Sequence, residues 1–373
     1  LWYSDTFPGR EGLIKANNSL QSLYGITGEV ISSSGHGDDI PDDTMGEEDV
    51  TGPIHIDIDP EKQQGEQIDG FYLVGNTAYE LYHFNQENSK TYTQLINRAA
   101  QTVGSDAKVY DLIVPLSYSL YLSGETQEKV GVSDCKAAID YMYSGMNSEV
   151  IKVDAFSALA SHTSEYLYYR TDHHWTARGA YYAYSAFCKK AGITPTPLSS
   201  YNKAEFGGFL GTLYSDTNMP AAMAKDPDTV EAFIPKGTNT IRVTDKTGET
   251  LKYSNGIVNI NTDKVYQAAA SKYNCFIVGD NPLSTIHNET IKDGSSIAVV
   301  KESFGNAFVP FLVDSYEYIY VIDYRYFNKV DEYKNTSLSQ FVREKGIKTV
   351  LFINNMVATS ASPRLNELST LIG

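Results

Sequence analysis

Three features of the sequence predict an α/β fold with a mostly parallel sheet flanked by helices. Continuous apolar runs at 108–115 ("KVYDLIVP"), 295–300 ("SSIAVV") and 348–355 ("KTVLFINN") read as strands buried on both faces. Segments of helical length separate such runs, and strands that alternate with helices imply parallel order with helices on both faces. The 373 residues, 42% hydrophobic and 20% charged, are enough to bury a large core.

In chain order, residues 1–30 read as a short loop feeding one amphipathic helix. Residues 31–68 carry "GDDIPDDTMGEEDVTGPIHIDIDPEK" and read as an acidic, solvated loop. A calcium loop fits this stretch poorly, because its carboxylates lack the regular spacing and the paired Gly and Glu. The α/β domain is expected over 69–373. "GFYLVGN" (70–76) is a strand ending at a Gly-Asn turn, and a helix is expected over Leu81–Thr102. After the strand 108–115 come a helix near 131–145, a strand at 149–156 and a helix at about 176–191 ending at Gly192. Between about 222 and 275 the pattern changes. "DTVEAFIP", "NTIRVTD" and "GETLKYS" are short alternating runs with "DKTGET" as a hairpin turn, predicting a small antiparallel β insertion. The strand 295–300, the helix "GNAFVPFLVDSY", the strand "YIYVIDYRYF", the helix "LSQFVREKG" and the strand 348–355 complete the pattern.

Charge and cysteine content narrow the function. A net charge of −16 repels phosphate backbones, so no nucleic-acid partner is expected. Cys135, Cys188 and Cys275 are far apart and form no CxxC, so no zinc or redox motif is predicted, and no cofactor is expected. No apolar run reaches membrane-spanning length, so no embedded segment is expected. The chain begins at Leu1 rather than Met, which fits an N-terminal signal or anchor having been removed. The 28 tyrosines suit either sugar stacking or half-buried strands.

The chemistry concentrates in two places. Residues 171–175 read "TDHHW". Asp172 and His174 are two apart, so a turning segment can bring carboxylate to imidazole, with the helix from Thr176 as a platform. Two other readings stand beside this one: an ordinary polar helix start favoured by the helix dipole, and a metal site. The metal reading is disfavoured because adjacent histidines on a strand point to opposite faces, and no HxxxH or HExxH is present. The second place is "KESFGNAF", directly after the strand 295–300. A serine between a buried strand and a helix can project its hydroxyl above the sheet, near helix N–H groups suited to an oxyanion. Taken alone, Ser303 is better explained as a cap for that helix.

Together, "DHHWTARGAYYAY", "YSDTFPGREGLIKANNSL", "DLIVPLSYSLY", "KYNCFIVGDNP" and "VVKESFGNAFVPFLVDSYEYIYVIDYRYF" resemble the bacterial DHHW family, related to the SGNH-hydrolase-like alginate O-acetyltransferases. The resemblance covers most of the chain apart from the acidic loop and the β insertion. It implies an SGNH-hydrolase-like (flavodoxin-like) domain in which Ser303 is the nucleophile, His174 the base, Asp172 its orienting acid and Trp175 the packing behind it. Arg325 and its neighbour Tyr324 in "DYRYF", and Asn281 in "GDNP", become candidates to bind an oxyanion or substrate. Arg325 serves equally well in a structural ion pair. His173 is expected to hydrogen-bond within the turn. Glu302 departs from the family, whose members more often carry Asp before the serine. The order acid, His, then Ser reverses that of ordinary SGNH hydrolases and matches the alginate relatives.

The expected function is a secreted or surface acyltransferase or esterase acting on O-acyl, chiefly acetyl, groups of a cell-wall or exported polysaccharide, with an acyl-donor protein as a further partner. The alternative is a non-catalytic carbohydrate-binding surface protein on the same scaffold, motivated by the tyrosine content. The enzyme reading requires His174 within hydrogen-bond reach of both Asp172 and Ser303; a wide separation argues against it.

Overall fold

The computed structural model describes residues 65–260 and 269–373. The expected N-terminal helix, the "DTFPGR" segment and the acidic stretch up to residue 64 lie outside them. The described chain opens with a three-stranded antiparallel sheet, β1 (Glu66–Ile68), β2 (Phe71–Val74) and β3 (Thr77–Glu80). Residues 66–68, expected as loop, are therefore a strand. β2 and β3 pair Val74 with Thr77 across Gly75-Asn76, the turn read from the sequence.

The central sheet begins with β4 (Lys108–Val114) and β5 (Val150–Val153). β6 (Asn202–Phe209) and β7 (Asp228–Ile234) form a separate two-stranded antiparallel sheet. β8 (Asn239–Thr244), β9 (Thr250–Ser254), β10 (Leu283–Asn288), β11 (Ser296–Lys301), β12 (Tyr318–Asp323) and β13 (Thr349–Asn355) complete the set. The eight-stranded sheet runs β5-β4-β13-β11-β12-β10-β8-β9. Its first five strands are parallel, and its last three continue it antiparallel. This is the mostly parallel α/β architecture expected for an SGNH-hydrolase-like domain. The antiparallel run of 228–254 is divided between two sheets: β7 joins β6, while β8 and β9 extend the central sheet through β10, a strand absent from the sequence reading.

The apolar runs are continuous because both faces of the sheet are covered. On β11, Ile297 and Val299 pack on one side with Trp175, Phe187, Phe308 and Phe311, whereas Ala298 and Val300 face Tyr92, Ile96 and Phe341 on the other. On β13, Leu351 and Ile353 take the first side and Val350 and Phe352 the second.

Helix ends follow local chemistry. The helix Ala177–Ala191 starts at Thr176, whose side chain accepts from the Gly179 N–H, and stops at Gly192 with φ 72°. The helix expected from Leu81 begins at Gln86, because Asn85 caps it by accepting from the Asn88 N–H. A separate helix, Gly124–Val130, precedes the one expected near 131–145, which runs Cys135–Ser144. Gly131 ends the first with φ 77°, and the Asp134 side chain caps the second. The expected strand 318–327 stops at Asp323, so Tyr324 and Arg325 leave the sheet at its edge.

Candidate active site

The parallel strands end on a common edge, and two chain segments meet there. One is the bend 170–174 before the helix Ala177–Ala191. The other is the turn from β11 into the helix Gly305–Leu312, which carries Ser303. The structure brings Asp172, His174 and Ser303 together. His174 Nδ1 lies 2.6 Å from Asp172 Oδ1, and Nε2 lies 2.7 Å from Ser303 Oγ. A ring nitrogen facing a carboxylate carries the proton. Nδ1–H therefore donates to Asp172, and Nε2 is left to accept from the serine hydroxyl. Asp172 and His174 are buried, whereas Ser303 is half-buried.

Asp172 is held from several sides. Its Oδ1 also accepts from the His174 backbone N–H at 3.0 Å. Its Oδ2 accepts from the Thr212 N–H at 2.9 Å and contacts Thr212 Oγ1 at 3.3 Å. Burial alone pushes this carboxyl up, but the two histidines and the hydrogen bonds outweigh it and hold Asp172 well below the usual carboxylate range. Thr212 approaches closely because Gly211 precedes it: a Cβ there would collide with the Asp172 side chain.

The serine turn is braced by Glu302. One carboxylate oxygen accepts from the Phe304 N–H at 3.1 Å and touches Ser303 Oγ at 3.3 Å; the other accepts from the Asn355 N–H at 3.1 Å, tying the turn to the end of β13. Burial raises the Glu302 pKa, with Arg325 and these N–H groups pulling the other way. Gly305 permits the tight strand-to-helix step, since a Cβ there would meet Lys301 Cβ at 2.6 Å. Of the N–H groups at the start of this helix, that of Phe304 is already engaged by Glu302. Trp175 is fully buried and donates its indole N–H to the Phe304 carbonyl at 2.9 Å, so it anchors the residue after the serine.

Sequence reasoning missed Tyr273 and Thr212. The Tyr273 ring stacks on His174 at 4.1 Å and 14°, and its hydroxyl donates to the Ser303 carbonyl at 3.2 Å. It lies in "KYNCFIVGDNP", but nothing in that segment marks it as a site residue, since it arrives from a separate 3-10 turn. His173 does more than the sequence suggests. Its ring lies 3.9 Å from that of His174, and its Nδ1 is 2.5 Å from Thr212 Oγ1. The segment is a bend rather than a strand, so the argument that adjacent histidines point apart does not apply. One ligand atom from each of Asp172, His173 and His174 lies within 4.8 Å of the others. Those side chains are engaged with one another, with Thr212 and with Ser303, and a metal ion would have to displace those contacts.

The remaining candidates point elsewhere. Arg325 donates through Nε to Asp323 Oδ1 at 2.8 Å, and its Nη2 contacts Asp323 Oδ2 at 2.6 Å and Asp280 Oδ2 at 2.8 Å. Lys301, fully buried at the end of β11, bridges Asp280 and Asp323 at 2.9 Å each. Asn306 Nδ2 also donates to Asp280 Oδ1 at 2.9 Å. Arg325 is thus part of a closed ionic cluster, which is the structural alternative weighed for it. Asn281 turns its amide back to the Val278 and Gly279 carbonyls at 3.1 and 3.3 Å. Ile277 and Val278 in that turn take left-handed φ values of 46° and 62°, a strain of order 1–3 kcal/mol each for β-branched residues. The Tyr324 hydroxyl is buried and donates to Asn354 Oδ1 at 2.7 Å.

Comparison with known proteins places this arrangement in a family. Residues 1–52 and 48–322 match the family model described as DHHW protein. A DHHW family protein from Eubacterium siraeum is 31% identical and superimposes with a TM-score of 0.72, covering 83% of this chain and 98% of the other. Bacillus cereus PatB1, solved with a sulfonyl adduct, shares 16% identity and a TM-score of 0.62 over 81% of this chain and 98% of its own; that likeness is one of fold. No curated protein sequence matches. Among the described residues, no helix is long and apolar enough to cross a membrane. The chain belongs to the DHHW family.

Proposed function

We propose that this protein is a serine-dependent acyltransferase or esterase. Ser303 is the nucleophile, His174 the general base and Asp172 the group that orients the imidazole. The observation that supports this most strongly is one imidazole held between a carboxylate at 2.6 Å and a hydroxyl at 2.7 Å, on opposite ring nitrogens. In the first step Ser303 Oγ gives its proton to His174 Nε2 and attacks the acyl carbonyl carbon. The leaving alcohol then takes that proton as the carbonyl re-forms, giving an acyl-serine. In the second step His174 takes a proton from an acceptor hydroxyl or water, whose oxygen attacks the acyl-serine, and the imidazolium gives that proton to Ser303 Oγ as it leaves. Asp172, ionised and hydrogen-bonded, stabilises the imidazolium formed in both steps.

The substrate we assign is an O-acyl group, chiefly acetyl, on a cell-wall or exported polysaccharide, handled by a secreted or surface-held protein that takes its acyl group from a donor protein. The resemblance to alginate O-acetyltransferases supports this part of the reading. In it, Arg325 belongs to the ionic cluster with Asp280 and Asp323, Asn281 stays within its own turn, and Tyr324 is a buried strut. The carbohydrate-binding alternative loses some of its motive, since Tyr92, Tyr118, Tyr166, Tyr169 and Tyr184 among others are buried in the core.

Hydrolysis of p-nitrophenyl acetate by wild type, Ser303→Ala and His174→Ala tests the assignment. Turnover by the wild type that drops by roughly 10³-fold or more in both variants is expected. Undiminished turnover in Ser303→Ala would show that another group does the chemistry.

A further inference from the structure

The bend 170–174 lies outside any helix or strand, so its backbone groups need partners from elsewhere. The Ala78 N–H of β3 donates to the Arg170 carbonyl at 3.0 Å, and the Tyr214 N–H of the helix Thr212–Asp216 donates to the Thr171 carbonyl at 2.9 Å. The two N–H groups directly ahead of Asp172 go to one side chain, Asp228 at the start of β7. Thr171 N–H donates to Asp228 Oδ2 at 2.8 Å, and Arg170 N–H donates to the same oxygen at 3.1 Å. Arg170 Nε–H donates to Asp228 Oδ1 at 3.0 Å, and the Tyr166 hydroxyl donates to that oxygen as well. Asp228 is fully buried. A carboxylate in such a place is costly unless it is paired and hydrogen-bonded, and these donors answer it. All of them lie in the segment that leads into Asp172.

We propose that Asp228 is a positioning residue for the Asp172–His174 pair, fixing the backbone from which both side chains project. The proposal rests on the reading of His174 as the base and Asp172 as its orienting acid. Thr171 joins this anchor to a second one. The Gly211 N–H donates to Thr171 Oγ1 at 3.3 Å, and the next N–H, that of Thr212, donates to Asp172 Oδ2 at 2.9 Å. Asp228 thus holds the bend from behind, while Thr212 holds the carboxylate itself. The fit matters because His174 Nε2 must stay within hydrogen-bond reach of Ser303 Oγ, 2.7 Å away, and a displacement of about 1 Å costs on the order of 10²-fold in rate.

The β insertion thereby acquires a task. Its first strand, β7, carries no reacting group, yet through Asp228 it sets the frame on which the acid and the base stand.

The test compares the full-length wild type with Asp228→Asn, which keeps the shape but turns one oxygen into an NH₂ group that cannot accept. Two quantities are measured. Amide hydrogen exchange, read by mass spectrometry, should quicken roughly tenfold or more in peptides covering 166–176 and stay unchanged in β4, β11 and β13. For p-nitrophenyl acetate, kcat should fall roughly 10- to 100-fold while KM stays within about twofold. A residue that merely stabilised the fold would quicken exchange throughout the central sheet and leave kcat per folded molecule at the wild-type value; that outcome overturns the proposal, and so does unchanged exchange at 166–176. If Asp228→Asn does not fold, Tyr166→Phe decides the matter, since it removes one donor to Asp228 and keeps the ring. The same local quickening with a several-fold loss in kcat is then expected, and wild-type values of both overturn the proposal. Exchange needs neither Ser303 nor a substrate. A wild type that does not turn over the ester therefore fails the acyl-transfer reading alone, and exchange still decides whether Asp228 holds the bend.

Discussion

Two polar arrays meet at the turn after β11, and they are finished differently. Asp172, His174 and Ser303 form a line that starts on a buried carboxylate and ends on a half-buried hydroxyl. Asp280, Lys301, Asp323 and Arg325 form a closed set in which two anions meet two cations. Both arrays bury charge, shift pKa values and reach half-buried groups, but only the first ends on a hydroxyl set against a base. A buried ionic cluster is thus a weak sign of chemistry, and the direction in which a hydrogen-bonded chain runs is a stronger one.

Substitutions sharpen this contrast, because the first array is expected to govern rate and the second stability. The largest expected effect is on rate. Asp172→Asn keeps the shape but removes the charge behind the imidazole, and p-nitrophenyl acetate turnover should fall by about 10⁴-fold. Next is Lys301→Met, which leaves Asp280 and Asp323 with Arg325 as their one remaining cation in the cluster. Urea unfolding should show a loss of about 3–5 kcal/mol, the cost of a buried charge left partly unanswered. A Lys301→Met protein of unchanged stability and lost turnover would break the distinction between the two arrays.

A third carboxylate stands apart from both. Asp111, buried on β4, accepts from the Tyr92 hydroxyl at 2.6 Å, while its Oδ2 has no hydrogen-bond partner among the described residues. Burial pushes its pKa up to about 7, with the Tyr92 bond pulling the other way. The folded protein therefore holds this proton more tightly than the unfolded chain. Stability from this group is fully present below about pH 4 and is lost as pH rises through about 7, a change of a few kcal/mol. Asp111→Asn should flatten that part of the stability–pH curve measured by urea unfolding. An unchanged curve would show that Asp111 does not set it.

The same contrast explains what the sequence could and could not reveal. "TDHHW" is legible because acid and base are two residues apart and the helix behind them carries its own start at Thr176 and stop at Gly192. Ser303 is legible because a buried strand runs directly into a helix. Thr212 and Tyr273 were not, because they reach the site from segments that only the folded chain brings together. The ionic cluster left a trace in the lone Lys301 at the end of an apolar strand, but its partners lie about twenty residues to either side in the chain. The hairpin of β8 and β9 was readable from "DKTGET", whereas its place in the central sheet depended on β10. That strand was missed because its sequence, "LSTIHN", mixes polar residues into a short run. The helix expected near 131–145 starts only at Cys135, because Gly131 closes a preceding helix in a left-handed conformation and Asp134 caps the next.

The most direct test of the account is covalent. The full chain is treated with phenylmethanesulfonyl fluoride at neutral pH, and the modified residue is mapped by mass spectrometry. A base-activated serine attacks the sulfonyl group and displaces fluoride. One label per chain on Ser303 is predicted, absent from Ser303→Ala and much slower to form in His174→Ala. A wild-type protein that stays unlabelled, or a label that persists in Ser303→Ala, would contradict the account.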